Sequence, residues 1–210
     1  MRLLALISVA AAALAAVAAA APPATVTLAS SAPSVLYGKQ VKLTGELSTK
    51  KANQPISIME TVCGSTHQTK ATTVKTVANG AYSASVTPTS GTSYQATFKS
   101  SKSPAVAVTV RPLLELKRVA AGSYTAKATA GQALTGKFVL FQRYRVLKKR
   151  WVQVKRIALG AAVPGATKPT MVSSVSFKAK LPRGTRVRVM ITKVQAAPCY
   201  VTSASKSLRA

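Results

Sequence analysis

Carboxylates are the scarcest groups in this 210-residue chain: it has no Asp, and its acidic residues are Glu46, Glu60 and Glu115 alone. Glycoside hydrolysis needs a pair of carboxylates, and hydrolytic triads need a His oriented by an acid, so both reaction classes lack their parts. The single His, His67, stands in the polar stretch Ser65-Thr66-His67-Gln68-Thr69, which has the composition of a loop, and is expected to be an exposed loop residue. Two Cys, one His and three dispersed Glu supply neither a zinc nor a calcium ligand set. No Gly-rich phosphate loop precedes a helical pattern. The inventory predicts a protein with no catalytic residue, no metal and no cofactor.

Long apolar runs are confined to the start. Met1 and Arg2 precede an uncharged stretch, Leu-rich and then almost pure Ala, that reaches Ala21. Arg2 serves as the positive n-region, and Ala19, Ala20 and Ala21 offer small-residue cleavage sites before Pro22, so residues 1–21 are expected to be a cleaved signal peptide. An uncleaved anchor is the alternative; the length is near what a bilayer needs, but Ala is a weak membrane residue. No later segment is long and apolar enough to span a membrane, and the end, Ser207-Leu208-Arg209-Ala210, has no anchoring tail. The expected location is secreted or associated with the cell envelope.

Beyond the leader, apolar residues recur every second position: Val41 and Leu43, Ile56 and Ile58, Tyr82, Ala84 and Val86, and Tyr94, Ala96 and Phe98. The pattern returns in Val175, Phe177, Ala179 and Leu181, and again in Val187, Val189 and Ile191. Such alternation marks half-buried strands. Turn pairs separate them at Tyr37-Gly38, Asn79-Gly80, Ser90-Gly91, Thr135-Gly136 and Pro182-Arg183-Gly184. Many short strands with regular turns and no amphipathic helix predict an all-β sandwich.

The chain also repeats itself. Gln54-Pro55-Ile56-Ser57-Ile58, Thr73-Val74-Lys75-Thr76-Val77, Tyr82-Ser83-Ala84-Ser85-Val86 and Gly91-Thr92-Ser93-Tyr94 follow one another in the first half. The second half has Gly136-Lys137-Phe138-Val139-Leu140, Trp151-Val152-Gln153-Val154-Lys155, Ser176-Phe177-Lys178-Ala179-Lys180-Leu181 and Gly184-Thr185-Arg186-Val187 in the same order. This predicts two tandem domains, residues 22–110 and 111–210, divided at Arg111-Pro112, where Pro ends a strand.

These residues resemble a known family, the tandem bacterial immunoglobulin-like repeats of secreted actinobacterial proteins. The likeness is carried by Ser34-Val35-Leu36-Tyr37-Gly38 before Val41-Lys42-Leu43-Thr44-Gly45, by the Val108-Thr109-Val110-Arg111-Pro112 junction, by Phe141-Gln142 before Arg150-Trp151, and by Gln195-Ala196-Ala197-Pro198-Cys199-Tyr200. It implies two immunoglobulin-like β-sandwich domains forming a spacer, adhesive or carbohydrate-associated module without catalysis of its own. The family usually has Gly before the last Tyr, where this chain has Cys199.

Cys63 and Cys199 are the only thiols, one in each predicted domain. Seven strands per domain, A, B, C, C′, E, F and G, alternate in direction. Cys63 closes strand C of the first domain, at the end where strand G exits. Cys199 sits in the F to G turn of the second, at the end where strand A enters. Both therefore reach the junction, which predicts an interdomain disulfide; two separate thiols or intermolecular pairing are the alternatives.

Charge is divided unevenly. Residues 22–110 hold eight Lys, no Arg and two Glu, a balance of +6; residues 111–210 hold 21 Lys plus Arg and one Glu, a balance of +20. A polyanion-binding surface is therefore expected in the second domain. Arg143, Arg145, Lys148, Lys149 and Arg150 fall on strand C and its turn into C′. Lys178, Lys180, Arg183, Arg186 and Arg188 fall on an expected E to F hairpin. Both turns belong at the end far from the linker, and like charges across a hairpin destabilise it unless something screens them. A solvated, charge-rich surface without a ligand is the alternative. The partners in view are an anionic cell-envelope polymer, an acidic polysaccharide or anionic lipid headgroups. Nucleic acid would bind only unspecifically, and Trp151 is expected to pack inside the sandwich. A purely structural or protein-protein interaction module of the cell surface is the other reading.

Overall fold

The computed structural model describes residues 23–210, so the expected signal peptide lies outside the described residues. In the first half the strands are β1 (Ala29–Ser30), β2 (Ser34–Leu36), β3 (Val41–Glu46), β4 (Pro55–Val62), β5 (Thr69–Lys75), β6 (Ala81–Val86), β7 (Thr92–Phe98), β8 (Ser101–Lys102) and β9 (Val106–Arg111). They form two sheets, β1-β3-β6 and β2-β9-β7-β4-β5, with β8 alongside β7. In the second half β10 (Leu113–Ala120), β11 (Ser123–Ala130), β12 (Phe138–Arg145), β13 (Arg150–Ala158), β14 (Ala162–Pro164), β15 (Met171–Lys178), β16 (Arg186–Ile191), β17 (Ser203–Ala204) and β18 (Leu208–Arg209) form β10-β11-β15-β14 and β13-β12-β16-β17, with β18 also on β16. Strands A, B and E thus make one sheet and C′, C, F and G the other, twice over. That strand order makes the protein two tandem immunoglobulin-like β-sandwiches.

The alternation read from the sequence is the burial pattern. Val41, Leu43, Ile56, Ile58, Tyr94 and Ala96 fill the first core, and Val187, Val189 and Ile191 the second. The rings of Tyr124, Phe141 and Phe177 meet at the centre of the second core, with Phe141 5.1 Å from Tyr124 and 5.0 Å from Phe177 between centroids. Both halves also share an irregularity. The C to C′ pairing slips one residue after Ile58 in the first and after Phe141 in the second, each time at the fourth residue of strand C.

Three elements depart from the expected seven-strand scheme. The first strand of the first sandwich is split: β1 pairs β3 in one sheet, and β2 crosses to pair β9 in parallel in the other. Pro33, which has no N–H to donate, stands between the two pieces. The second sandwich gains β14 on β15, and its F to G connection holds a short helix, α1 (Lys193–Ala196), capped by the Thr192 side chain. The expected E to F hairpin is corrected: β15 and β16 belong to different sheets, so residues 179–185 carry the chain across the sandwich rather than around a hairpin. Period-two burial gives each strand its inner face but does not say which sheet it joins.

The two sandwiches are locked where they meet. Cys63 and Cys199 form a disulfide with an S–S distance of 2.08 Å and 5.4 Å between Cα atoms. The Gly91 N–H donates to the Cys199 carbonyl (2.8 Å) and the Val201 N–H to the Val110 carbonyl (3.0 Å). Tyr200, buried, donates its hydroxyl to the Thr89 carbonyl at 3.0 Å, and the Tyr37 and Thr170 hydroxyls lie 2.9 Å apart. Contact here is close enough to require glycine, since a Cβ on Gly131 would stand 2.6 Å from the Thr89 carbonyl oxygen. A joint with a cross-link and several hydrogen bonds restrains the hinge expected of a short linker.

Candidate functional site

Strand register sets which end of the second sandwich each cation occupies. β12 runs away from the junction to Arg145, turns through residues 146–149, and returns as β13 with Arg150 directly opposite Arg145. β16 begins beside that turn, with Arg143 opposite Val187. On the other sheet β15 ends with Lys178 opposite Ser123, and the Ala179 N–H donates to the Gly122 carbonyl. The turn carrying Lys148, Lys149 and Arg150 and the connection carrying Lys180, Arg183 and Arg186 therefore share the end opposite the disulfide. All these side chains are exposed except Arg143, which is partly buried.

Two further residues reach this end. Arg209 on β18 pairs directly with Arg186, so like charges face each other across two strand pairs, Arg145 with Arg150 and Arg186 with Arg209. Arg118 ends the regular part of β10 opposite Tyr124. The distal turn also exposes Leu147 fully, at 100%.

The acidic side chains lie elsewhere. Glu46 is paired with Lys50, and Glu115 with Lys127 at 3.0 Å. Glu60, partly buried on β4 beside Tyr94, has its pKa raised by desolvation. No tip cation has a carboxylate partner among the described residues. Nor does any group of three or more His, Cys, Asp or Glu able to hold a metal form among them. His67 is exposed, its N–H accepted by the Ser65 hydroxyl.

Trp151 departs from the expected packing inside the sandwich and lies on the outer face of the sheet. Phe141 faces inward, so Tyr144, three residues on, faces outward, and Trp151 is its cross-strand partner. The Trp151 ring meets Tyr144 edge-on at 5.3 Å, and the Arg188 guanidinium lies over it at 4.2 Å. Arg188 also donates from Nε to the Gln142 side-chain oxygen at 2.9 Å, and burial lowers its pKa. Arg186 stands over Tyr144 at 5.4 Å. Arg188 is thus held against the sheet face, while Arg145, Lys148, Lys149, Arg150, Lys180 and Arg183 are exposed. Register reasoning places Tyr144 and Trp151 from the sequence, but Arg209 depends on a two-residue terminal strand that carries no periodic signal.

No helix among the described residues is long and apolar enough to cross a membrane. No family model matches the chain, and no curated protein matches it. Among solved structures it is similar to a marsupial T cell receptor, with a TM-score of 0.31 and 10% identity over 88% of this chain and 100% of that one. With agreement at that level, the fold stands on the strand order, and the role must be argued from the site.

Proposed function

We propose that the protein is a secreted, non-catalytic spacer and binding module that associates with an anionic cell-envelope polymer or acidic polysaccharide through the distal tip of its second sandwich. One observation carries this reading: cations from the C to C′ turn, the E to F connection and the terminal strand converge at one end, with arginines directly opposed and no carboxylate paired to them among the described residues. Opposed like charges cost stability unless an external anion screens them. The locked junction supports the spacer half of the reading, since it holds the basic end at a fixed distance from the first sandwich. The sequence resemblance to tandem immunoglobulin-like repeats of secreted actinobacterial proteins supports an extracellular setting, as does a disulfide. Nucleic acid would be held only through its phosphates.

The test is recovery from a cell-envelope fraction at low and high salt, comparing the native protein with a variant carrying Lys148, Lys149, Arg150, Arg183 and Arg186 changed to Ser. Binding that weakens steeply with salt and is lost in the variant supports the proposal. Equal recovery of both proteins discards the tip. Salt-insensitive association with one protein partner would favour the purely structural reading instead.

A further inference from the structure

From the basic tip, the outer face of the β13-β12-β16 sheet runs back toward the junction and ends in a cleft. The cleft, about 400 Å³, is lined by Phe138, Leu140, Gln153, Arg156, Thr192 and Gln195 among others. Arg156 lies over the Phe138 ring at 3.8 Å, repeating at this end the arrangement of Arg188 on Trp151 and Arg186 on Tyr144 at the other. Tyr144 and Phe138 are six residues apart on one strand, so the two sets of guanidinium groups stand roughly 20 Å apart along the sheet. Leu140 and Met190, neighbours across β12 and β16, lie on the same face between them.

We infer that this face is a binding track for an acidic polysaccharide lying lengthwise along the strands. The inference rests on the proposed anionic partner and names its chemistry. Three features suit a carboxylated sugar chain, and the second sets it apart from a bare phosphate chain. First, a guanidinium stacked on a ring is already oriented, and its planar fork pairs bidentately with a carboxylate or a phosphate, which a lysine point charge cannot do. Second, the cleft mixes apolar surface from Phe138 and Leu140, suited to the C–H face of a sugar ring, with the polar ends of Gln153, Thr192 and Gln195, suited to hydroxyls. Gln195 spends its carbonyl oxygen on the Phe138 N–H at 2.8 Å, which leaves its amide group to donate. Third, the track runs the length of β12, and no carboxylate lines its cleft. The exposed tip lysines supply attraction without chemical preference, whereas the track supplies the preference.

The experiment is calorimetric titration of the full chain with polygalacturonate, with inorganic polyphosphate at equal charge concentration, and with neutral dextran. The native protein is expected to hold polygalacturonate more tightly than polyphosphate and to ignore dextran. In an Arg156→Lys/Arg186→Lys variant the net charge is kept and both sites are exposed, so the denaturation midpoint stays put. That variant is expected to lose about tenfold in affinity for polygalacturonate. A Lys148→Ser/Lys149→Ser/Arg150→Ser variant weakens both polymers. Native affinity for polygalacturonate in the Arg-to-Lys variant, or polyphosphate held as tightly as polygalacturonate by the native protein, overturns the track and leaves the tip standing. A native protein that holds neither polymer overturns both.

Discussion

Removing the cross-link is the perturbation whose size follows most directly from the geometry. Cys63 and Cys199 are separated by 136 residues, and on the chain-entropy model a loop of that length restrains the unfolded state by about 5 kcal/mol. If the first sandwich stays folded while the second opens, the closed loop shrinks to the stretch from Arg111 to Cys199, roughly 90 residues, and the figure falls only to about 4.6 kcal/mol because the dependence is logarithmic. The hydrogen bonds from Gly91, Val201 and Tyr200 across the junction do not substitute for it, since they exist only in the native state. At about 2–4 °C per kcal/mol for a chain of this size, a Cys63→Ala/Cys199→Ala variant should melt about 9–20 °C lower. Far-UV circular dichroism on thermal unfolding reads this directly. A midpoint within about 2 °C of the native protein would refute the reasoning.

Other perturbations probe the cores and the sheet face. Phe141→Ala removes the fully buried ring between Tyr124 and Phe177 and should cost about 3–5 kcal/mol in urea denaturation. Arg188→Met leaves the buried Gln142 amide without its partner and uncovers Trp151, an expected loss of about 1–3 kcal/mol with a shift in the emission of the single tryptophan. Burial raises Tyr200 from an ordinary value of 10.0 to about 12, so its contribution is complete below pH 10 and is lost as pH climbs from 10 toward 12. Unfolding midpoints at pH 8 and pH 11 should therefore differ, and Tyr200→Phe should narrow the gap without closing it, because Tyr82 is raised to about 12 by burial as well.

The sequence carries the strands more fully than their assembly. Val187, Val189 and Ile191 alternate with Arg186, Arg188 and Met190 in the chain as they do across the sheet, because side-chain direction in a strand is a local property. The same local rule places Tyr144 and Trp151 on the outer face once the four-residue turn between β12 and β13 is recognised. Sheet membership is not local: nothing near Lys178 or Arg186 states that β15 and β16 lie in opposite sheets, and the split of the first strand depends on a distant pairing with β9. The short helix at Lys193–Ala196 and the three-residue β14 are too brief to leave a period. Arg209 joins the tip through a pairing that no composition count foresees, whereas Lys148, Lys149 and Arg150 are placed by their turn alone.

Backbone amide shift mapping with added polygalacturonate tests most directly whether anions are taken at the far end and outer face of the second sandwich. The account predicts perturbations gathered on residues 138–156, on 183–195 and on Arg209, fading as salt is raised. Perturbations centred on the first sandwich, or spread evenly over every exposed lysine, would contradict it.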